Sequence, residues 1–248
     1  MRESVIELKT ADGVLDTFIC RPDGDGPWPV VIIYMDAPGM RDELRNMASR
    51  LATVGYYVML PNLYYRIGRE GEYGFDRSRI RSHDADRERM HECRLTLTNA
   101  AVVADTRHLL AHARADSVAS SGPVGIVGYC MSGQFVVAVA AAYPDDIGAV
   151  ASFYGVGIVS DAADSPHKDA RAVRARTYLA FAEHDPWVPA AVLQQLPAVI
   201  ADTGWQAEIE VYPGTTHGFA FAERPDYHRA AGERHWERIF ALMRGLSA

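Results

Sequence analysis

Along most of this chain, apolar runs of strand length alternate with segments of helical period, and that alternation leaves few folds open. "PVVIIYM" (29–35) is an unbroken, β-branched run, the pattern of a strand buried on both faces. "YYVMLPN" (56–62), "PVGIVGY" (123–129), "GAVASFYG" (148–155), "RTYLAFAE" (176–183) and "AEIEVYPG" (207–214) read as further strands. Helical stretches are expected over 41–55 and near 93–114, 131–143, 189–202 and 227–246. "SVIELKT" and "LDTFIC" instead alternate apolar with polar residues around Asp12-Gly13, which reads as an opening hairpin. Repeated strand–helix units imply right-handed crossovers. The expected fold class is therefore α/β, a mainly parallel central sheet with helices on both faces. Ligands bind such sheets beyond the carboxyl ends of the strands. The residues just after each strand are the ones to search.

With 248 residues, 48% of them hydrophobic, the chain suits a single large domain over 1–248. A net charge of −7 and a pI near 5.7 argue against binding nucleic acid or an acidic membrane surface. "MRESVIELKT" lacks the apolar core of a secretory signal, and no apolar run is long enough to span a bilayer, so a cytoplasmic protein is expected. One stretch breaks the rhythm: 65–92 is charged and glycine-punctuated, and reads as a solvated excursion or a lid whose arginines meet an anionic substrate. The three cysteines (Cys20, Cys93, Cys130) are widely spaced, which supports neither a disulfide framework nor a cysteine zinc site. His108 with His112, and His83 with His91 and Cys93, are loose sets, read as surface-helix residues with no metal.

Gly128-Tyr129-Cys130-Met131-Ser132-Gly133 joins a strand-like run to a helix-like one, the setting of a nucleophile elbow. Gly128 supplies the small residue two places before the nucleophile, and Ser132 stands where a glycine is usual two places after it. A lone cysteine is ordinarily a small core residue. At this turn it reads as the nucleophile, with the Met131 N–H placed to hold an oxyanion. Ser132 lies inside the helix and is a poor competitor. Asp185 and His217 each follow a later strand, so the order nucleophile, acid, histidine is complete. His184 neighbours Asp185 and would point away from it. After the strand at 29–35, Ala37 is expected to give the second oxyanion N–H, and Asp36 to accept or hold the thiol proton. His217 is expected to act as a neutral base, with activity falling on the acid side near an ordinary histidine pKa.

These residues resemble the dienelactone hydrolase family of α/β-hydrolases. Its elbow G-Y-C-x-G-G is matched at 128–133 except for Ser132 in place of the first of the last two glycines, its D-x-x-V-P at Asp185-Pro186-Trp187-Val188-Pro189, and its H-x-F-A at His217-Gly218-Phe219-Ala220. "PNLYYR" (61–66) is similar to its D-L-Y-x-R stretch, and the likeness runs from about residue 3 to 245. The resemblance implies the α/β-hydrolase fold and a Cys130–Asp185–His217 triad. That triad opens small-molecule esters or lactones through an acyl-thioester, without metal or organic cofactor. Phe221, Trp187 and Tyr64 read as pocket residues. Three departures bear on the substrate: Asp36 replaces a longer glutamate, Ser132 replaces an elbow glycine, and Phe221 replaces the arginine that binds the substrate carboxylate. A thiolate is itself a good leaving group, which suits activated esters better than amides. The competing expectation is a non-catalytic or thiol-sensing binding protein on the same fold. No partner is expected beyond the small-molecule substrate, in a monomer or small homo-oligomer.

Overall fold

The computed structural model describes residues 1–247, which pack as two compact units, 1–120 and 121–247. In the first, the expected hairpin is present: β1 (Arg2–Thr10) runs antiparallel to β2 (Gly13–Arg21), closed where Thr10 faces Gly13. Gly13 has a φ of 143°, which an L side chain rarely adopts. β3 (Val30–Tyr34) and β4 (Tyr57–Pro61) are parallel and buried at all five positions each, as their unbroken apolar runs require. The strand order in this unit is β1-β2-β4-β3, with β2 antiparallel to β4. Helix α1 (Asp42–Ala52) connects β3 to β4 and buries Leu44, Met47, Ala48 and Leu51 at helical spacing.

The region after β4 departs from expectation. The helix expected near 93–114 is two helices, α2 (Asp84–Leu95) and α3 (Asn99–Ala115). Two threonines make the break. The Thr96 hydroxyl donates back to the Cys93 carbonyl, and the Thr98 hydroxyl caps α3 by accepting from the Ala101 N–H at 3.1 Å. Part of the charged excursion is therefore helical. Ion pairs three residues apart, Arg87 with Asp84 and Arg89 with Glu92, lie along α2, and only Cys93 of that helix is buried.

The second unit is a run of parallel strands in chain order: β5 (Val124–Tyr129), β6 (Ile147–Phe153), β7 (Arg176–His184) and β8 (Ala207–Thr216). Between and after them come α4 (Ser132–Ala142), a 3₁₀ turn (Pro166–Ala172), α5 (Ala190–Thr203) and α6 (Arg229–Met243). Parallel pairing aligns the carboxyl ends of all four strands, so residues just past β5, β7 and β8 share one edge. Among the described residues, no helix is long and apolar enough to cross a membrane.

Candidate active site

Cys130 is the first residue after β5, and its φ is +54°. A side chain in this left-handed region costs on the order of 1 kcal/mol, so the surrounding structure has to impose it. Three backbone hydrogen bonds do so. The Cys130 N–H donates to the Phe153 carbonyl at 3.1 Å, and the Cys130 carbonyl accepts from Gly133 at 3.0 Å and from Val156 at 2.9 Å. The small residues around it are sterically required. A Cβ on Gly128 would lie 2.5 Å from the Ser132 carbonyl oxygen, and one on Gly133 would lie 2.1 Å from the Gly155 Cα. The strict requirement after Cys130 thus falls on Gly133, and Ser132 is accommodated, fully buried in the first turn of α4. Met131, at the N-cap of α4, has its N–H at the positive end of that helix. The other thiols differ: Cys20 and Cys93 are buried, and burial pushes both pKa values up, away from nucleophilic use.

Asp185 and His217 are likewise the first residues after β7 and β8. The structure brings them together: His217 Nδ1 lies 2.8 Å from Asp185 Oδ2, with the carboxylate side chain 2% and the imidazole 10% exposed. The other carboxylate oxygen accepts from the Trp187 N–H at 2.9 Å, which fixes the acid's orientation. His217 Nε2 is buried and makes no hydrogen bond of ordinary geometry. Burial opposes a charge on this imidazole, but Asp185 and then Cys130 overcome it and raise the pKa to about 9. His217 is therefore an imidazolium at neutral pH, where an ordinary histidine is mostly neutral. His184 points into solvent beside Glu183 and takes no part.

The remaining expected site residues lie in diverse settings. Phe221 is fully buried, 5.0 Å from the Tyr129 ring, with the Arg224 guanidinium 4.9 Å over its face. Trp187 is 62% exposed. In the first unit, Tyr64 is buried and donates to the Ala37 carbonyl at 2.9 Å, its ring edge-on to Tyr73. Asp36 is fully buried in a two-pronged ion pair with Arg41, which also donates to the Gly39 carbonyl at 3.1 Å. The pairing with Arg41 was absent from the sequence reading, although a cation five residues after a buried carboxylate is a usable signal. Arginines of the excursion are also engaged. Arg66 holds Asp12 and Asp105, Arg69 holds Glu7, and Arg77 holds Glu70. Of the loose histidine sets, His83 caps α2 and His112 meets the Tyr57 hydroxyl at 3.3 Å. The described residues contain no group of three side chains placed to hold a metal ion.

The sequence profile of the dienelactone hydrolase family matches residues 15–247. The chain belongs to the dienelactone hydrolase family. Membership carries hydrolysis of esters or lactones as its activity. A Rhodococcus opacus carboxymethylenebutenolidase is 23% identical over 218 residues, covering 86% of this chain and 79% of that protein. A Synechocystis protein provisionally given the same name is 26% identical over 229 residues, covering 91% of this chain and 89% of its own. The crystal structure of a Klebsiella pneumoniae protein, provisionally named a dienelactone hydrolase, superposes with a TM-score of 0.85 at 24% identity. It covers 98% of both chains, and the fold is that of the α/β-hydrolases.

Proposed function

We propose that the chain hydrolyses activated carboxylic esters or lactones with Cys130 as nucleophile, His217 as proton carrier and Asp185 as the group that orients His217. The observation that carries this reading is the 2.8 Å contact between buried Asp185 and His217, beside a cysteine held at positive φ. In the attacking state the sulfur is a thiolate and the proton sits on His217. Cys130 Sγ bonds to the carbonyl carbon, the π electrons move to oxygen, and the Met131 N–H stabilises that oxyanion. Collapse breaks the bond to the leaving oxygen, which takes the proton from His217 and leaves an acyl-thioester with a neutral imidazole. His217 then removes a proton from water, the hydroxide attacks the thioester, and the thiolate departs as the acid is released. No metal or organic cofactor enters these steps.

The names of the relatives make a butenolide-type lactone one candidate substrate. Phe221, in place of the family's arginine, favours a ligand without a carboxylate at that position. Asp36 is committed to Arg41, which suits a fixed counter-charge better than a mobile base. We place the enzyme in the cytoplasm, as a monomer or small homo-oligomer. The test is turnover of a short-chain p-nitrophenyl ester by wild type and Cys130→Ala, run beside titration of the reactive thiol. Loss of at least about 10³-fold in kcat/KM is expected for the variant. Equal rates would sink the proposal. A thiol that titrates without any ester turnover in the wild type would point to a sensing protein instead.

A further inference from the structure

Only two non-glycine residues among those described have positive φ, and they are neighbours in space: Cys130 and Tyr154, whose φ is +40°. Tyr154 is the first residue after β6, an aromatic in backbone that favours glycine, and the sequence gives no sign of it. The two turns are tied together. Cys130 donates to Phe153 on one side of Tyr154 and accepts from Val156 on the other, and the Tyr154 N–H donates to the Ala180 carbonyl of β7 at 2.7 Å. Gly155 is wedged so closely that a Cβ there would lie 2.2 Å from Ser152 Oγ and 2.8 Å from the Gly133 Cα. This packing leaves the turn no freedom to relax the strain.

The fully buried ring of Tyr154 meets His217 at 5.0 Å, inclined at 61°. It also meets Phe219 at 5.1 Å, and Phe221 and Tyr129 at 6.1 Å each. One side chain therefore touches the catalytic imidazole, the segment that follows it and the residue before the nucleophile. Strain of this kind persists where the surroundings over-determine it, and such positions cluster at functional sites.

We propose that Tyr154 is a positioning residue: its ring fixes the His217 imidazole against Asp185 and keeps water from it, while its strained backbone braces the Cys130 turn. The proposal rests on the triad reading above. The titratable groups facing His217 are Asp185, Cys130 and Tyr154 itself. With the ring removed, water enters and relieves the burial that disfavours the charge. It also screens Asp185 and Cys130, whose combined pull is the greater, so the net rise shrinks and the imidazole relaxes towards ordinary behaviour.

The experiment compares Tyr154→Phe, Tyr154→Gly and Tyr154→Asn with wild type, by ester kinetics and by NMR titration of His217. Glycine and asparagine both accept positive φ, so these two variants remove the ring without adding backbone strain. Tyr154→Phe is expected to stay within about threefold of wild type in kcat. The ring-less variants should lose at least about 30-fold in kcat with little change in KM, and the His217 pKa should fall by at least about one unit. Wild-type titration in the ring-less variants would overturn the proposal, as would a Tyr154→Phe loss as large as theirs, which would assign the role to the hydroxyl. Should neither ring-less variant fold, Phe219→Leu loosens Tyr154 from its other side. The same drop in kcat and in His217 pKa is then expected, and wild-type values would overturn the proposal. The NMR arm needs no turnover, so failure of the esterase reading and failure of this one are told apart.

Discussion

Burial works against a charge on His217, and Asp185 and Cys130 reverse that, so the proton stays until about pH 9. This replaces the expectation of a neutral base, which would place an acid limb near the ordinary histidine value. The leaving group needs the proton of His217, so kcat/KM is expected to fall on the alkaline side with an apparent pKa of about 9. Asp185→Asn removes the hydrogen-bond acceptor that is the largest single raising influence. It should carry that limb downward and reduce kcat by roughly 10³–10⁴-fold, the scale on which loss of an orienting carboxylate acts. A pH series on a p-nitrophenyl ester with both proteins measures this; a lone acid limb near the ordinary value in wild type would restore the neutral base. That Cys130, Asp185 and His217 each follow a strand was legible, because strand ends and residue types are local properties of the sequence. The pKa of His217 and the strain at Tyr154 were not, because each depends on contacts between residues distant in the chain.

Among the elements, strands were read most closely, since an unbroken β-branched run leaves little choice of structure. The α2/α3 boundary was missed because helical periodicity continues across Thr96 and Thr98, and only their hydroxyl contacts to the backbone reveal the break. The join of β5 to α4 yields a prediction of its own. Gly133 faces the Gly155 backbone, which cannot swing aside as the end of a flexible side chain would. Gly133→Ala should destabilise the fold by about 1–3 kcal/mol, as overpacking does, and displace the Cys130 turn with loss of activity. Urea denaturation with unchanged m-values reads the first effect; a variant as stable as wild type would show that α4 shifts freely. The elbow match had assigned the small-residue requirement to the site of Ser132. The steric limit lies one residue on, visible only once β6 and its turn are packed against α4.

For the molecule as a whole, the raised His217 pKa links stability to pH. The folded value of about 9 exceeds the ordinary unfolded value of about 6.5. The favourable contribution is therefore full below about 6.5, fades as pH rises between the two and is gone above about 9. On the order of 3 kcal/mol is at stake. Thermal unfolding across this interval should show wild type losing stability relative to Asp185→Asn as pH rises; parallel curves would show the pair to be energetically silent. The fold class was legible because the strand–helix alternation extends along most of the chain. The substrate is less so, since specificity rests on a few side chains such as Phe221. One of the four tryptophans has a practical consequence. Trp205 and Trp236 are buried, whereas Trp187 stands 62% exposed two residues past Asp185, with its own N–H on that carboxylate. The Asp185 loop thus carries a natural fluorophore that a dissolved quencher reaches first, so light emission can follow events beside Asp185 without any added label.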